Sequence, residues 1–281
     1  MNKKLTEGGK RGGRRKKSEP NLPLISIITV VHNAKNKLQE AIKEVKSQTY
    51  SNKEHIIIDG GSGDGTLDIL RKNDGDIDYW ISETDTGIYD AMNKGIEAAD
   101  GEWLYFLGVD DAFDSRDTLK LIFKDRAIPS DISMLLGNVI YADGRLFKSR
   151  FGKSMYFKNT IHHQGVFYRH NVFEQFRYGA STSGNQSTKQ YHISGDYQLN
   201  FMLFLQRAKH IYLNKIIAKC GSGISLQGNL SGYIEEIFIR HEHIGFFKAI
   251  FFDTFTFLRY FYKRILKARH RDDKPYPPVS G

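Results

Sequence analysis

The chain of 281 residues is 40% hydrophobic, 26% charged and 13% aromatic, which excludes an intrinsically disordered protein and suits one large domain plus an appendage. Its single cysteine, Cys220, excludes an intramolecular disulfide framework and a multi-cysteine zinc site, and points to a reducing compartment. The net charge of +9 sits at the ends: residues 1–20 carry eight Lys/Arg against two Glu, residues 240–281 carry nine against four Asp/Glu, and the stretch between is slightly acidic, which argues against a nucleic-acid-binding core.

Residues 1–20 (MNKKLTEGGKRGGRRKKSEP) read as a disordered basic tail, either a solvated arm or one drawn to anionic lipid headgroups. The tail lacks the apolar core of a secretory signal. Leu24–Val31 (LISIITVV) is β-branched and almost wholly apolar, so it reads as a strand buried on both faces. Ala34, Leu38, Ala41, Ile42 and Val45 share one face of a helix over 34–48. A second strand at Glu54–Asp59 runs into a Gly-rich turn, then come a short helix over 66–73 and a third strand at Ile77–Ser82. A helix over 87–99 lines up Ile88, Ala91, Met92, Gly95, Ile96 and Ala99, and Glu102–Leu107 is a fourth strand. This alternation predicts an α/β fold built from βαβ units, its sheet covered on both faces and binding ligands beyond the C-terminal ends of its strands. Further along, Met134–Arg150 reads as a hairpin turning at Asp143-Gly144, and His162–Arg169 as a strand. Residues 179–190 (GASTSGNQSTKQ) read as a mobile polar loop, 196–208 as a helix and Ile211–Lys219 as a strand.

Polar clusters fall where such a sheet binds its ligand. His32 and Asn33 follow the first strand, DGGSGDGT (59–66) the second, and Asp110 with Asp111 the fourth. The glycine cluster is not a dinucleotide fingerprint, because Thr66 stands where the third glycine is needed and the glycines follow the second strand. It lacks the Gly-Lys-Ser/Thr of a P-loop, and Gly61 and Gly63 stand where an EF-hand needs oxygen ligands. What remains is a tight loop whose N–H groups can approach a ligand. Asp59 there accepts a base N–H or a ribose hydroxyl, or else caps loop amides. The adjacent carboxylates Asp110 and Asp111 repel unless a cation or donors lie beside them. They suit Mg2+ or Mn2+ bound together with substrate phosphates, or the N-cap of a helix starting near Ser115. Glu83, Asp85 and Asp90 lead into the 87–99 helix, where acidic residues also suit the helix dipole. His162 and His163 are structural, or face a diphosphate or the metal. Asp196, in ISGDYQLNFML, is an ordinary N-cap or a carboxylate placed as a general base.

Together, ISIITVVHNA, IIIDGGSGDGT and SETDTGIYDAMNKGIEAADGEWLYFLGVDDAF, in order over residues 24–113, resemble the nucleotide-sugar-binding half of bacterial family 2 glycosyltransferases with the GT-A fold. The likeness is to enzymes that build surface polysaccharides such as lipopolysaccharide. HHQGVFYR and ISGDYQL extend a weaker resemblance to about residue 220. The resemblance implies a Rossmann-like, mostly parallel central sheet with helices on both faces. It implies a catalytic domain over 21–235, with a nucleotide-sugar half at 24–113 and an acceptor half at 114–235. It implies that Thr29, Val31, Asn33, Asp59, Gly61, Asp85 and Val109 surround the nucleotide, commonly a uridine one. It implies Mn2+ or Mg2+ at Asp110, helped by Asp111 or His163, with Asp196 as the catalytic base. Two positions depart from the family pattern: Gly108 replaces the first aspartate of Asp-x-Asp, and Gly195 replaces the glutamate of a Glu-Asp pair.

The implied reaction is an inverting, metal-dependent transfer of a hexosyl group from a nucleotide-sugar, a UDP-sugar first among them. The acceptor is a hydroxyl of a glycan or of an undecaprenyl-diphosphate-linked glycan, and no nucleic acid takes part. Two rivals stand beside it. One is a non-catalytic scaffold of the same fold in a polysaccharide-assembly complex. The other is a nucleotidyltransferase, whose basic Gly-rich triphosphate loop is absent from His32-Asn33-Ala34-Lys35.

Residues 236–281 form an amphipathic, aromatic and basic C-terminal segment. Within HIGFFKAIFFDTFTFLRYFYKRIL (243–266), Lys248, Asp253, Arg259, Lys263 and Arg264 interrupt the apolar run, so it suits a helix lying in a membrane interface better than a span. The alternative is packing on the catalytic domain or on a second copy in a homo-oligomer. With a lipid-linked acceptor, the expected location is cytoplasmic and peripheral, at the inner face of the cytoplasmic membrane.

Overall fold

The computed structural model describes residues 6–12, 15–179, 191–221 and 230–272, with side chains through residue 265. Its strands are β1 (Thr6–Gly8), β2 (Ile25–Val31), β3 (Lys53–Asp59), β4 (Tyr79–Ser82), β5 (Trp103–Phe106), β6 (Ala112–Phe113), β7 (Met134–Tyr141), β8 (Leu146–Phe147), β9 (Val166–Arg169) and β10 (His210–Cys220). Its α-helices are α1 (Leu38–Ser47), α2 (Thr66–Lys72), α3 (Ile88–Ala98), α4 (Thr118–Phe123), α5 (Val172–Gln175), α6 (Gly195–Leu205), α7 (Leu230–Ile244) and α8 (Phe246–Asp272).

Among the described residues one sheet runs in the order β1-β4-β3-β2-β5-β9-β7-β10-β6, with β8 hydrogen-bonded to β7. Strands β4, β3, β2 and β5 are parallel neighbours. Strand β9 enters antiparallel to β5, and β10 is again parallel to β7. The sheet is therefore parallel across β4-β3-β2-β5 and mixed elsewhere.

Both faces of β2 and β3 are buried, as their continuous apolar runs require. On one face Ala91, Met92 and Ile96 of α3 pack on Ile28, Ile56 and Ile58. On the other, Leu38 and Ile42 of α1 and Leu70 of α2 pack on Ile57. Gly95 sets the approach of α3 to the sheet, since a Cβ there would lie 2.4 Å from Ile28 Cγ2.

The basic arm departs from the expected disordered tail. Residues 6–12 and 15–20 are laid along the sheet. Strand β1 pairs antiparallel with β4, Thr6 opposite Ser82 and Gly8 opposite Trp80. The Gly9 N–H donates to Asp74 at 2.7 Å. Arg11 and Arg15 both bridge Asp100 (2.5 and 2.7 Å), and Lys16 reaches Asp78 at 2.8 Å. The outer side of β4 offers backbone groups for β1 to pair with, and Asp78 and Asp100 match the arm's cations. The arm's own composition carries neither fact. Residues 1–5 and 13–14 of the tail, 180–190 of the polar loop and 273–281 of the C-terminal segment lie outside the described residues.

The expected boundary between 235 and 236 falls inside α7. Helices α7 and α8 form a hairpin that turns at Gly245, where φ is +79. Fully buried Arg240 donates to Asp253 Oδ1 through Nε and Nη2 (3.0 and 2.7 Å), and Nη2 also reaches Thr256. His241 Nε2 meets Asp253 Oδ2 at 2.7 Å. The hairpin packs on the domain by placing Ile239 among Met155, Tyr191, Tyr197 and Phe201. No helix of the described residues is long and apolar enough to cross a membrane.

Candidate active site

The order β4-β3-β2-β5 sets the strand ends Ser82, Asp59 and Val31 side by side at one rim, and β5 stops at Phe106, opposite Ile28. Asp59 ends β3 with no exposed surface. A carboxylate so buried needs donors. It has Ser82 Oγ at 2.6 Å, the Ser62 N–H at 3.1 Å and the Ser62 hydroxyl. These bonds fix the turn over residues 60–63, where Gly61 takes φ +77. Gly60 leaves room for Asp85, because a Cβ on residue 60 would lie 2.4 Å from Asp85 Oδ2. Asp85 in turn accepts the Gly87 N–H at the start of α3 at 3.0 Å. Asn33, at φ +51, joins the same turn: its N–H donates to Ser62 Oγ (2.7 Å) and its Oδ1 accepts the Gly63 N–H (3.0 Å). Asn33, Asp59, Gly61 and Asp85 thus come together as expected.

The other residues expected at the nucleotide contribute differently. Val31 packs its side chain among Ile57, Leu70 and Trp80, and Val109 leans on the same cluster. Only the Val31 carbonyl serves the turn, accepting the Gly60 N–H at 2.9 Å. Thr29 does not line a pocket. It is fully buried, with Oγ1 3.1 Å from His55 Nε2. Burial pushes the pKa of His55 down to about 3, and the neutral ring needs the partner that this hydroxyl supplies. Glu83 pairs with Lys94 at 2.8 Å, and Asp90 accepts the Thr86 N–H at 2.9 Å.

Neither Asp111 nor His163 is turned to help Asp110 hold a metal, as the resemblance implies one of them would. Asp111 turns back toward the end of β10, where Oδ1 accepts the Gly221 N–H at 3.2 Å. Burial, first among the causes, pushes its carboxyl pKa up. Its Oδ2 lies 2.3 Å from where a Cβ on Gly108 would be. The glycine in place of the family's first aspartate therefore leaves room for the Asp111 carboxylate in this position. His163 packs its ring on Phe106 and Tyr178 (centroids 5.2 and 5.9 Å apart), and burial pushes its pKa down to about 3. Asp110 remains accessible at the strand end, its Oδ2 2.5 Å from Lys37 Nζ at the start of α1. Among the described residues no group of three or more His, Cys, Asp or Glu could hold a metal ion. One accessible carboxylate still fits Mg2+ or Mn2+ whose shell is completed by substrate phosphates and water.

Asp196 opens α6 and is half-buried. Its Oδ1 accepts the Tyr197 N–H and its Oδ2 accepts Asn159 Nδ2, both at 2.8 Å. Burial is the main cause that raises its pKa to about 6; the charge of Glu236 adds to it, and the bonds from Tyr197 and Asn159 oppose it. A carboxylate in this range is ionised at neutral pH yet basic enough to take a proton.

Tyr89, on the first turn of α3, explains the second departure from the family pattern. A Cβ on Gly195 would lie 2.8 Å from the Tyr89 ring, so that ring fills the place where a glutamate would begin. The Tyr89 hydroxyl donates to the Ile193 carbonyl at 2.8 Å, and the Asp196 N–H points to it at 3.4 Å. Since Asp85 holds Gly87, the start of α3 links the Asp59–Asp85 rim to Asp196. Sequence reasoning missed Tyr89, although it stands apart from the apolar row Ala91, Met92 and Ile96. It also missed Asn159, which carries no local signal. A cavity of about 590 Å³ lies away from this rim, lined by Arg15, Asp100, Glu102, Arg169 and neighbours.

The parallel sheet and the acidic rim at its strand ends define a transferase of the GT-A type. The chain belongs to glycosyl transferase family 2, whose description matches residues 26–205, and it is a glycosyltransferase. It is 34% identical over 192 residues to the PGL/p-HBAD biosynthesis glycosyltransferase of Mycobacterium bovis, covering 65% of this chain and 70% of that one. The S. aureus TarS 1–349 structure in complex with UDP-GlcNAc is similar with a TM-score of 0.58 and 17% identity, over 78% of this chain and 66% of that chain. A longer TarS structure is spanned over 39% of its length. Mannosyltransferase PcManGT from Pyrobaculum calidifontis, in complex with GDP-Man and Mn2+, has a TM-score of 0.52 and 16% identity, over 94% of this chain and 70% of that chain. At these identities the solved structures share the fold alone.

Proposed function

We propose that this glycosyltransferase moves a sugar from a nucleotide-sugar, a UDP-sugar first among them, to a hydroxyl of a glycan or undecaprenyl-diphosphate-linked glycan, with inversion. The observation that carries this reading is Asp196, a poorly solvated carboxylate with its pKa raised to about 6, tied through Tyr89 to the helix start that Asp85 holds. The acceptor oxygen attacks the anomeric carbon from the face opposite the diphosphate, and its proton passes to the Asp196 carboxylate. The bond from that carbon to the diphosphate oxygen breaks, and its electron pair leaves with the nucleoside diphosphate. General-base help of this kind is worth about 10²–10⁴ in rate. The turn built by Asn33, Asp59 and Asp85 receives the nucleoside. Mn2+ or Mg2+, with Asp110 as the residue that would hold it, supplies charge neutralisation for the leaving diphosphate when bound.

A surface on α8 supports action at the inner face of the cytoplasmic membrane. Phe247, Phe251, Leu258, Phe261 and Ile265 form an exposed row, with Phe247 at 90% exposure. Asp253 and Thr256, on the other side of the helix, bond Arg240 of α7. Exposed Lys248 and Arg264 flank the row and suit anionic headgroups, at about 1 kcal/mol per basic residue.

A thermal-shift screen of UDP-, GDP- and TDP-sugars with and without Mn2+, followed by turnover of Asp196→Asn, tests the reading. A UDP-sugar should stabilise the protein most in Mn2+, and the variant should bind it while losing turnover about 10²-fold or more. Turnover of Asp196→Asn within a few-fold of wild type would show that another group is the base.

A further inference from the structure

We infer that Glu235 of α7 is a positioning residue for Asp196, so that the α7–α8 hairpin belongs to the catalytic unit and is not a separable appendage. The inference rests on Asp196 being the base of the proposed function. Helix α6 starts without a side-chain cap: the hydroxyl of its N-cap, Ser194, instead donates to the Gly232 carbonyl of α7 at 3.1 Å. The segment ahead of the base is held from outside. Glu235 accepts three successive N–H groups, from His192 (3.0 Å), Ile193 (2.9 Å) and Ser194 (2.7 Å). Consecutive amides turned toward one carboxylate form an anion nest, and bonds to a charged acceptor are the strong kind. Seven residues along the same helix, Glu242 accepts the Tyr191 hydroxyl at 2.7 Å.

Helix α7 is itself anchored. Arg259 of α8 pairs with Glu236 and donates to the Phe157 carbonyl at 2.9 Å, and Arg240 pairs with Asp253. On the opposite side Tyr89 grips the Ile193 carbonyl. The residues just before Asp196 are thus clamped between α3, which leads to the nucleotide rim, and α7, which leads to the apolar row of α8. Among the described residues Glu235 bonds the backbone N–H groups of residues 192–194, so its effect on the reaction acts through the placement of Asp196.

The test uses the full chain with Glu235→Ala and the milder Glu235→Gln, whose amide oxygen keeps part of the acceptor set. Three quantities are read well below the melting temperature. They are amide hydrogen exchange over 191–199, the affinity for UDP in Mn2+, and UDP release from the fastest wild-type donor among UDP-glucose, UDP-galactose and UDP-N-acetylglucosamine. The expected result is exchange over 191–199 at least about tenfold faster and kcat at least about tenfold lower in Glu235→Ala, with Glu235→Gln between. Donor KM and UDP affinity stay within about twofold of wild type. A purely structural glutamate would lower the melting temperature and leave kcat alone. Unchanged exchange over 191–199, or unchanged kcat in a variant whose exchange has risen, overturns the inference. If Glu235→Ala does not fold, Glu235→Gln is judged by the same criteria. A wild type that releases no UDP, or an active Asp196→Asn, counts against the proposed function instead, and the exchange result still judges the clamp.

Discussion

Asp196→Asn should stabilise the protein at neutral pH while it removes turnover. The carboxyl titrates at about 6 instead of 3.8, and at about 1.36 kcal/mol per pH unit the ionised group costs the fold about 3 kcal/mol at pH 7.5. Asparagine keeps the shape, and its carbonyl can still accept the Tyr197 N–H. Its NH2, however, meets the Asn159 NH2 that donates to Oδ2, and Asn159 Oδ1 is already engaged by the Ile161 N–H. That mismatch costs about 1 kcal/mol. The net gain of about 2 kcal/mol corresponds to a rise in Tm of about 4–8 °C for a chain of this size. The sign follows from a folded pKa above the unfolded one. The stability that protonation lends to wild type is fully present below pH 3.8 and is lost as pH rises through about 6. The advantage of the variant should therefore be near zero at about pH 4.5 and level off above about pH 7. Differential scanning calorimetry at both pH values measures it. An equal or lower Tm for the variant at pH 7.5 would refute the argument that this carboxylate is held at a cost.

Three further outcomes follow from the same geometry. Gly195→Ala should destabilise by about 1–3 kcal/mol, because its Cβ meets the Tyr89 ring; in a Tyr89→Leu background the loss should shrink, and an additive double mutant would break the link. Lys37→Gln removes the cation that competes at Asp110, an exposed pair worth about 1 kcal/mol or less. Mn2+ titration of the nucleotide-free protein, followed by electron paramagnetic resonance, should then show affinity tightened up to about fivefold, and unchanged affinity would remove Lys37 from the cation's surroundings. Phe247→Ser combined with Leu258→Ser should lower cosedimentation with phosphatidylglycerol vesicles at least about tenfold at unchanged Tm, since both side chains are exposed; full retention would separate α8 from lipid.

What could be read ahead of the structure was what periodicity and strand ends encode. The rows Leu38-Ala41-Ile42-Val45 and Ala91-Met92-Ile96 face the sheet as their spacing demands. Asn33, Asp59 and Asp85 meet because loops leaving neighbouring parallel strands must share a rim. What could not be read depends on partners distant in the chain. Thr29 looked like a strand-end hydroxyl until His55 claimed it. Asp111 looked like half of an acidic pair until the Gly221 N–H turned it away from Asp110. Gly108 and Gly195 read as departures from the family pattern, and each makes room for a specific side chain, Asp111 and Tyr89. The arm over 6–12 resembles an unstructured leader in composition, and Asp74, Asp78 and Asp100 together with the outer side of β4 give it a place.

Both borders of the sheet finish in very short strands, β1 with three residues and β6 with two. At the β1 border the stub covers three of the four residues of β4 and leaves too few free amides for a neighbouring molecule to zip onto. Copies of this enzyme that meet at the β1 border are thereby spared fibre-like growth along it.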